Sequence, residues 1–152
     1  MKKIASFTVD HDLLEPGIYL SRRDGDVDTW DIRLIKPNTP PFMSVPATHT
    51  IEHLGATIAR SSEYSENVVY FGPMGCRTGF YLLTRDLDTK TVISLIRRMF
   101  EGAANWDEEI PGNTRKECGN YLDHDLDGAK KLAENYCDVI KDWTENMTVY
   151  RS

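Results

Sequence analysis

The chain has 152 residues, and its 18 basic and 24 acidic residues give a formal net charge of −6. This length suits one domain with a buried core, which we place at residues 1–152. The dispersed acidic charge argues against nucleic acid as a partner, because nucleic-acid binding requires a basic surface patch. No segment is apolar for long enough to span a membrane or to form a signal peptide, so we expect a cytoplasmic protein with no membrane partner.

The spacing of apolar residues predicts an α+β fold, with a mainly antiparallel β-sheet and helices packed on one face. Strands are predicted at residues 17–21, 30–34, 68–71, 80–84 and 148–150. The first predicted helix follows the proline-rich stretch 37–46 and ends at about residue 60. The second runs from residue 89 to 104, and the third from about residue 128 to 143. Arg33 occupies a polar position of its strand and is expected to point away from the apolar face. The opposite face of the sheet then needs a cover, for which a second copy of the chain is a candidate.

The first predicted helix carries the segment His49-Thr50-Ile51-Glu52-His53. At about 100° per residue, His49, Glu52 and His53 fall on one side of a helix, nearly opposite its apolar residues. One metal ion can therefore bind both imidazoles, and Glu52 can reach the open coordination position without being a ligand. A helix with two partly exposed histidines and an ordinary solvated glutamate is the simpler alternative.

The three cysteines have different surroundings. A catalytic metal site uses three protein ligands, and Cys118 is the candidate for the third, because nearby cations favour its thiolate. Cys76 lies in the glycine-rich connection 72–79, which suits a partly exposed thiol that exchanges protons, or simply a small residue in a tight turn. Cys137 has apolar neighbours at helical spacing and is predicted to be a small core residue.

Two other classes of protein fit the same histidine motif. In a metallopeptidase of the inverted His-x-x-Glu-His type, Glu52 would be the general base and Glu101 a candidate third ligand. In a noncatalytic domain stabilised by metal, a fourth protein ligand would close the site, and His124 is the candidate. Because His124 lies among three aspartates between residues 123 and 127, we expect it to be in a solvated acidic turn.

Three separate motifs together closely resemble S-ribosylhomocysteine lyase, the LuxS family. They are residues 49–54 (HTIEHL), 72–82 (GPMGCRTGFYL) and 117–120 (ECGN). The resemblance continues at residues 6–11 (SFTVDH) and 31–33 (DIR), so it covers nearly the whole chain in the family's order.

This resemblance implies a single catalytic domain that forms a homodimer with two active sites at the subunit interface. Each site is expected to hold Fe(II), which Zn or Co can replace after purification. The implied reaction belongs to the activated methyl cycle and cleaves S-ribosylhomocysteine to homocysteine and 4,5-dihydroxy-2,3-pentanedione. The second product is the precursor of an autoinducer in quorum sensing.

The resemblance also implies roles for individual residues. The expected metal ligands are His49, His53 and Cys118. The expected catalytic acid and base groups are Glu52 and Cys76. The expected substrate-binding residues, acting across the dimer interface, are Ser6, His11 and Arg33. One position departs from the family, because Tyr70 stands where many members have an aspartate near the substrate.

Overall fold

A four-stranded antiparallel sheet packs against three helices, as predicted. In the computed structural model, which describes residues 1–152, the strands are β1 (Gly17–Asp24), β2 (Val27–Arg33), β3 (Val68–Pro73) and β4 (Gly79–Arg85). The helices are α1 (Val45–Arg60), α2 (Thr89–Ala104) and α3 (Leu126–Ile140). The strand order is β1-β2-β4-β3, so β2 and β4 lie in the centre of the sheet. None of the helices has the length and apolar character needed to cross a membrane.

The central strands supply the sheet's half of the hydrophobic core. Trp30 and Ile32 of β2 are almost completely buried, and they join a core cluster that includes Phe80 and Leu82 of β4. The indole N–H of Trp30 donates to the Thr84 hydroxyl over 3.0 Å, so its burial leaves no unpaired donor. The apolar stripes of the three helices complete this core from the other side.

The opposite face of β2 carries a buried ion pair. Arg33 points away from the apolar face, as predicted, and its Nη2 lies 2.7 Å from Oδ2 of Asp31. Asp31 is 1% exposed and Arg33 is 3% exposed. Tyr150 donates its hydroxyl proton to Oδ2 of Asp31 over 2.7 Å. The C-terminal segment therefore contacts this face of the sheet and helps to enclose the pair.

Helix ends follow local hydrogen bonding. α1 begins after Ser44, whose side chain accepts a hydrogen bond from the Ala47 N–H over 3.3 Å. α3 ends at Ile140 rather than at the predicted residue 143. The reason is that Trp143 turns towards β1 and donates its indole N–H to the Ile18 carbonyl over 3.0 Å.

The predicted strand at residues 148–150 is wrong. This segment makes a single backbone hydrogen bond to β1, from the Leu20 N–H to the Thr148 carbonyl over 2.9 Å. Side chains hold the rest of it, since the ring of Tyr150 stacks on the ring of Tyr19 with centroids 5.0 Å apart. The alternating apolar pattern therefore reflects aromatic packing on β1 rather than a fifth strand of the sheet.

Candidate metal centre and adjoining clefts

α1 presents two imidazoles that are oriented as metal ligands. The ring centroids of His49 and His53 are 4.7 Å apart, and the rings are nearly perpendicular at 85°. Nδ1 of His49 contacts the Asp123 carbonyl and Nδ1 of His53 contacts the Pro111 carbonyl, each over 2.7 Å. Because a carbonyl oxygen only accepts, the proton of each neutral ring is on Nδ1 and the lone pair is on Nε2. The two carbonyls thus fix both rings in the tautomer that a metal ligand through Nε2 requires.

The loop between α2 and α3 brings Cys118 to these histidines. Its Sγ lies 3.4 Å from Nε2 of His49 and 3.9 Å from Nε2 of His53. Two imidazole nitrogens and one sulfur suit zinc or iron rather than magnesium or calcium. The three predicted ligands therefore lie in one cluster that fits a metal ion. Glu101, the third ligand of the peptidase alternative, is not part of that cluster.

His124 is a fourth donor in the cluster, and its prediction as a solvated residue is wrong. The potential ligand atoms of His49, His53, Cys118 and His124 all lie within 4.8 Å of one another. Nε2 of His124 is buried and has no hydrogen-bond partner. Burial lowers the pKa of His124, and the charges of His49 and His53 lower it further, which favours the neutral ring.

Thr50 sets the tautomer of His124. The Thr50 hydroxyl oxygen is 3.0 Å from the Pro46 carbonyl, from Nδ1 of His124 and from the backbone nitrogen of Asp125. A hydroxyl has one proton, so all three contacts are hydrogen bonds only if Thr50 donates to Pro46 and accepts from the other two groups. Nδ1 of His124 then carries the proton, and the lone pair of the buried Nε2 lies in the donor cluster.

The stacking of His124 on His49 argues against His124 as a metal ligand. Its ring centroid is 4.0 Å from that of His49, with 21° between the ring planes. A ligating imidazole holds the metal in its own plane. Two rings that shared one metal at so small an interplanar angle would lie edge to edge and not stacked. In this arrangement His124 packs on the His49 ring instead of sharing a metal with it, which leaves His49, His53 and Cys118 as the candidate ligands. The sequence feature that could have indicated His124 is the small number of histidines. The chain has four, and three of them lie in this cluster.

Glu52 borders two clefts beside the metal cluster. The first, the His53 cleft, has a volume of about 380 Å³ and is also bordered by His53 and Tyr70. The second, the His49 cleft, has a volume of about 300 Å³ and is also bordered by His49 and Arg77. Tyr70 is half exposed. The position of Glu52 suits proton transfer to or from a small molecule beside the metal cluster.

Cys76 borders a third cleft of about 310 Å³, the Cys76 cleft, together with His11. Its thiol is free and the residue is exposed, as predicted. The Cys76 cleft and the His49 cleft share Gly75 and Arg77, so the connection between β3 and β4 borders both. Arg77 has a φ of 59°, in the left-handed region, which makes the connection turn sharply after Cys76.

The N-terminal segment contributes one of its two expected substrate-binding residues to this cleft. Nδ1 of His11 donates to the Val9 carbonyl over 2.9 Å, so the Nε2 lone pair is free. Ser6 lies in the short 3₁₀ turn Ala5–Phe7 and borders none of the three clefts. Within one chain, the structure brings His11 but not Ser6 to the Cys76 cleft.

Arg33 lies behind the wall of the Cys76 cleft and contacts it through Thr78. Its Nη1 donates to the Thr78 hydroxyl oxygen over 2.8 Å, and that oxygen lies 3.1 Å from Sγ of Cys76. Burial opposes the charge of Arg33, but Asp31 overcomes this effect and raises the pKa of the guanidinium. Arg33 is not among the residues that border the cleft. Thr78 does border it, although sequence reasoning did not single this residue out.

Known proteins are similar to this chain over nearly its whole length. A family model described as S-Ribosylhomocysteinase (LuxS) matches residues 4–147. A protein of Borrelia garinii named S-ribosylhomocysteine lyase is 48% identical over 156 aligned residues, which cover 99% of each chain. Proteins of the same name from Clostridium acetobutylicum and Finegoldia magna are 46% and 45% identical, again over 99% of each chain. The chain that brings His49, His53 and Cys118 together therefore belongs to the LuxS family.

Proposed function

We propose that the protein is an S-ribosylhomocysteine lyase that cleaves the thioether of its substrate to homocysteine and 4,5-dihydroxy-2,3-pentanedione. The observation that supports this function most directly is the convergence of His49, His53 and Cys118 beside two clefts that Glu52 borders. The match to the family over residues 4–147 includes all of these residues.

The reaction needs proton transfers at successive carbons of the sugar. An unactivated C–S bond breaks with difficulty, so the carbonyl group must first move along the open-chain sugar in two steps, the first from aldose to ketose and the second from ketose to ketose. The proton next to the thioether-bearing carbon then becomes acidic. Its removal forms a C=C bond and expels the sulfur, which takes up a proton to become homocysteine. The two products together contain all atoms of the substrate, so no oxidant or water is consumed.

We assign His49, His53 and Cys118 as the metal ligands. A divalent metal held there supplies a Lewis acid that polarises the sugar carbonyl. The nitrogen and sulfur donors suit Fe(II), and equally Zn or Co, which are the metals that we propose for this centre. The hydrogen bonds from Nδ1 of both histidines to backbone carbonyls direct the two Nε2 atoms into the cluster, where a metal would bind.

We assign Glu52 and Cys76 as the two groups that move protons. Each borders a cleft. Glu52 lies between the two histidine ligands in sequence, and Cys76 lies in the β3–β4 connection. Two groups on different elements can act on different carbons of one extended substrate. This division fits a reaction in which the position of the abstracted proton changes from step to step.

We further propose that the protein acts as a homodimer, with Ser6, His11 and Arg33 binding the substrate. Exposed apolar side chains support the dimer, because Phe7 is 64% exposed and Phe42, beside the Cys76 cleft, is 40% exposed. Ser6 borders none of the three clefts described above, which fits a contribution to the partner's site. The three cysteines are free, which is typical of the reducing cytoplasm that we propose as its location. There the sugar-derived product would be available as an autoinducer precursor.

The activity is tested by thiol release from S-ribosylhomocysteine, with anaerobically purified protein loaded with Fe(II). We expect multiple turnovers that a chelator abolishes and that added Fe(II) restores. His53→Ala is the matched control, because it removes one proposed ligand. A protein that holds its metal but releases no thiol would contradict the proposed function.

Mixed dimers test the shared site. If Ser6 and Cys76 of different subunits form one site, equal mixing of Ser6→Ala and Cys76→Ala proteins creates hybrid dimers with one intact site each. Random exchange would then restore about a quarter of the wild-type activity. If both residues served the site of their own chain, no mixture of the two variants would regain activity.

A further inference from the structure

A continuous set of hydrogen bonds links the C-terminal segment to the proposed catalytic thiol. The Tyr150 hydroxyl donates to Oδ2 of Asp31 over 2.7 Å, and Arg33 contacts the same carboxylate through Nε at 3.1 Å and Nη2 at 2.7 Å. The remaining Nη1 of Arg33 donates to Thr78 over 2.8 Å, and the Thr78 oxygen is 3.1 Å from Sγ of Cys76. These contacts join five side chains from β2, the β3–β4 connection and the C-terminal segment.

Proton counting leaves the hydroxyl proton of Thr78 available for the last bond, to Cys76. A guanidinium only donates, so the Thr78 oxygen must accept from Arg33. The single hydroxyl proton of Thr78 is then free to point to the Cys76 sulfur, which is the other polar atom in contact with it. A hydroxyl that accepts from a cation is polarised and becomes a stronger donor.

Burial makes the link to Arg33 stronger than a surface contact. Asp31, Arg33 and Thr78 are each at most 3% exposed, so water does not screen their interactions. Arg33 also uses both sides of its planar guanidinium, one side for Asp31 and the other for Thr78. A lysine has no such fork and could not hold both partners in fixed directions.

We propose that Thr78 is a positioning residue that transmits the charge of the buried Asp31–Arg33 pair to the Cys76 sulfur, and that Tyr150 anchors the far end of this relay. Thr78 thereby holds the sulfur in one direction at the Cys76 cleft and stabilises its anionic form. Tyr150 acts indirectly, because it holds the carboxylate of Asp31, which in turn orients Arg33. The consequence for turnover rests on the proposed function, whereas the effect on the thiol does not.

Alkylation of Cys76 by iodoacetamide at pH 7 tests the relay without any assay of turnover. The measurement uses metal-loaded protein, in which Cys118 is a ligand, and a Cys137→Ala background, so that Cys76 is the reactive thiol. We expect Thr78→Val to slow alkylation by about tenfold or more, because a hydrogen bond to a charged group is lost. Thr78→Ser keeps the hydroxyl and should stay within about threefold of the parent rate.

Thr84→Val is the matched control. Thr84 is also a completely buried threonine, its hydroxyl also accepts a hydrogen bond, from Trp30, and it has no contact with Cys76. Its alkylation rate should equal that of the parent. Tyr150→Phe should slow alkylation by about threefold, since it loosens the relay at its far end. An unchanged rate in Thr78→Val, or an equal loss in Thr84→Val, would overturn the proposal.

The kinetics of thiol release provide a second test of the role of Thr78. If the proposed lyase function is correct, Thr78→Val should lower kcat for thiol release by about tenfold, leave KM unchanged and leave the metal content unchanged. Thr78→Ser should restore kcat. If the parent protein released no thiol at all, the function would fail while the alkylation rates would still decide the role of Thr78. A fall in alkylation rate with an unchanged kcat in an active enzyme would contradict the role of Thr78 in catalysis.

Discussion

Nδ1 of His124 donates to the Thr50 hydroxyl, and its ring lies flat on the ring of His49 with centroids 4.0 Å apart. This stacking puts His124 next to the donor cluster, but a metal held in the ring plane of His49 would lie outside the ring plane of His124. We therefore expect His124→Phe, which keeps a flat ring, to lower metal affinity by only about tenfold. His53→Ala should lower it by far more. Competition with a coloured chelator measures both, and an equal loss in the two variants would show that His124 is a ligand.

Metal binding should stabilise the fold. The donors come from α1 and from the loop that contains Cys118, and only the folded chain brings them together. At a free metal concentration 1,000 times Kd, the free energy of unfolding should rise by about 4 kcal/mol. Thermal unfolding with and without a chelator measures this change. His53→Ala should respond weakly to metal, and an equal response in that variant would contradict the assignment of ligands.

Loss of a proton-transfer group should strongly reduce turnover without loss of the metal. Glu52 and Cys76 lie outside the cluster of donor atoms, so Glu52→Gln and Cys76→Ala should keep a full metal content. Turnover should fall by at least about 100-fold in each variant, in line with general acid and base catalysis. Thiol-release kinetics and metal analysis of the same samples test both statements. Near-normal turnover in both variants would remove the two residues from the mechanism.

Cys137 should be the least reactive thiol. Burial raises the pKa of the Cys137 thiol to about 11, and the nearby carboxylates of Glu101 and Asp138 add to the effect. At pH 8 only about one molecule in a thousand then carries the thiolate. Peptide mapping after brief iodoacetamide treatment should find Cys76 modified and Cys137 unmodified. The Cys137 reaction should speed up about tenfold per pH unit up to pH 11, and rapid labelling at pH 8 would contradict this.

Gly55 should not tolerate a side chain, although it lies within α1. A Cβ atom at this position would lie 2.5 Å from the ring of Phe71 in the core. Gly55→Ala should lower the free energy of unfolding by about 1–2 kcal/mol, because overpacking exceeds the gain in helix propensity. Gly102→Ala in α2 is the control, since its Cβ would meet only the mobile end of Ile58 at 2.7 Å. Denaturant unfolding compares the two, and equal stabilities would contradict the argument.

The sequence predicted the elements whose pattern is local. α1, with His49 and His53 on one face, follows from helical spacing, and the structure confirms it. The strand containing Arg33 follows from alternation. The packing of Tyr150 on β1 could not be predicted in this way, because its aromatic contacts join residues more than a hundred positions apart and resemble the pattern of a strand.

The site was predicted to the extent that its donors have recognisable chemistry. Cys118 could be proposed because its neighbours favour a thiolate, and it does lie at the histidines. His124 was misplaced since the three adjacent aspartates suggested solvent, whereas Thr50 and His49 fix its ring through contacts that only the tertiary fold creates. Thr78 carries no local signal either, because its importance depends on Arg33 from a different strand.

The candidate metal centre takes its donors from two kinds of element, a helix and a loop. His49 and His53 are one turn apart on α1, while Cys118 arrives from the long connection between α2 and α3. A metal ion bound here would be held by one helix and one loop. We therefore expect opening of the loop to limit the release of a bound metal. Substitutions that stiffen the loop should slow metal exchange without altering the ligands.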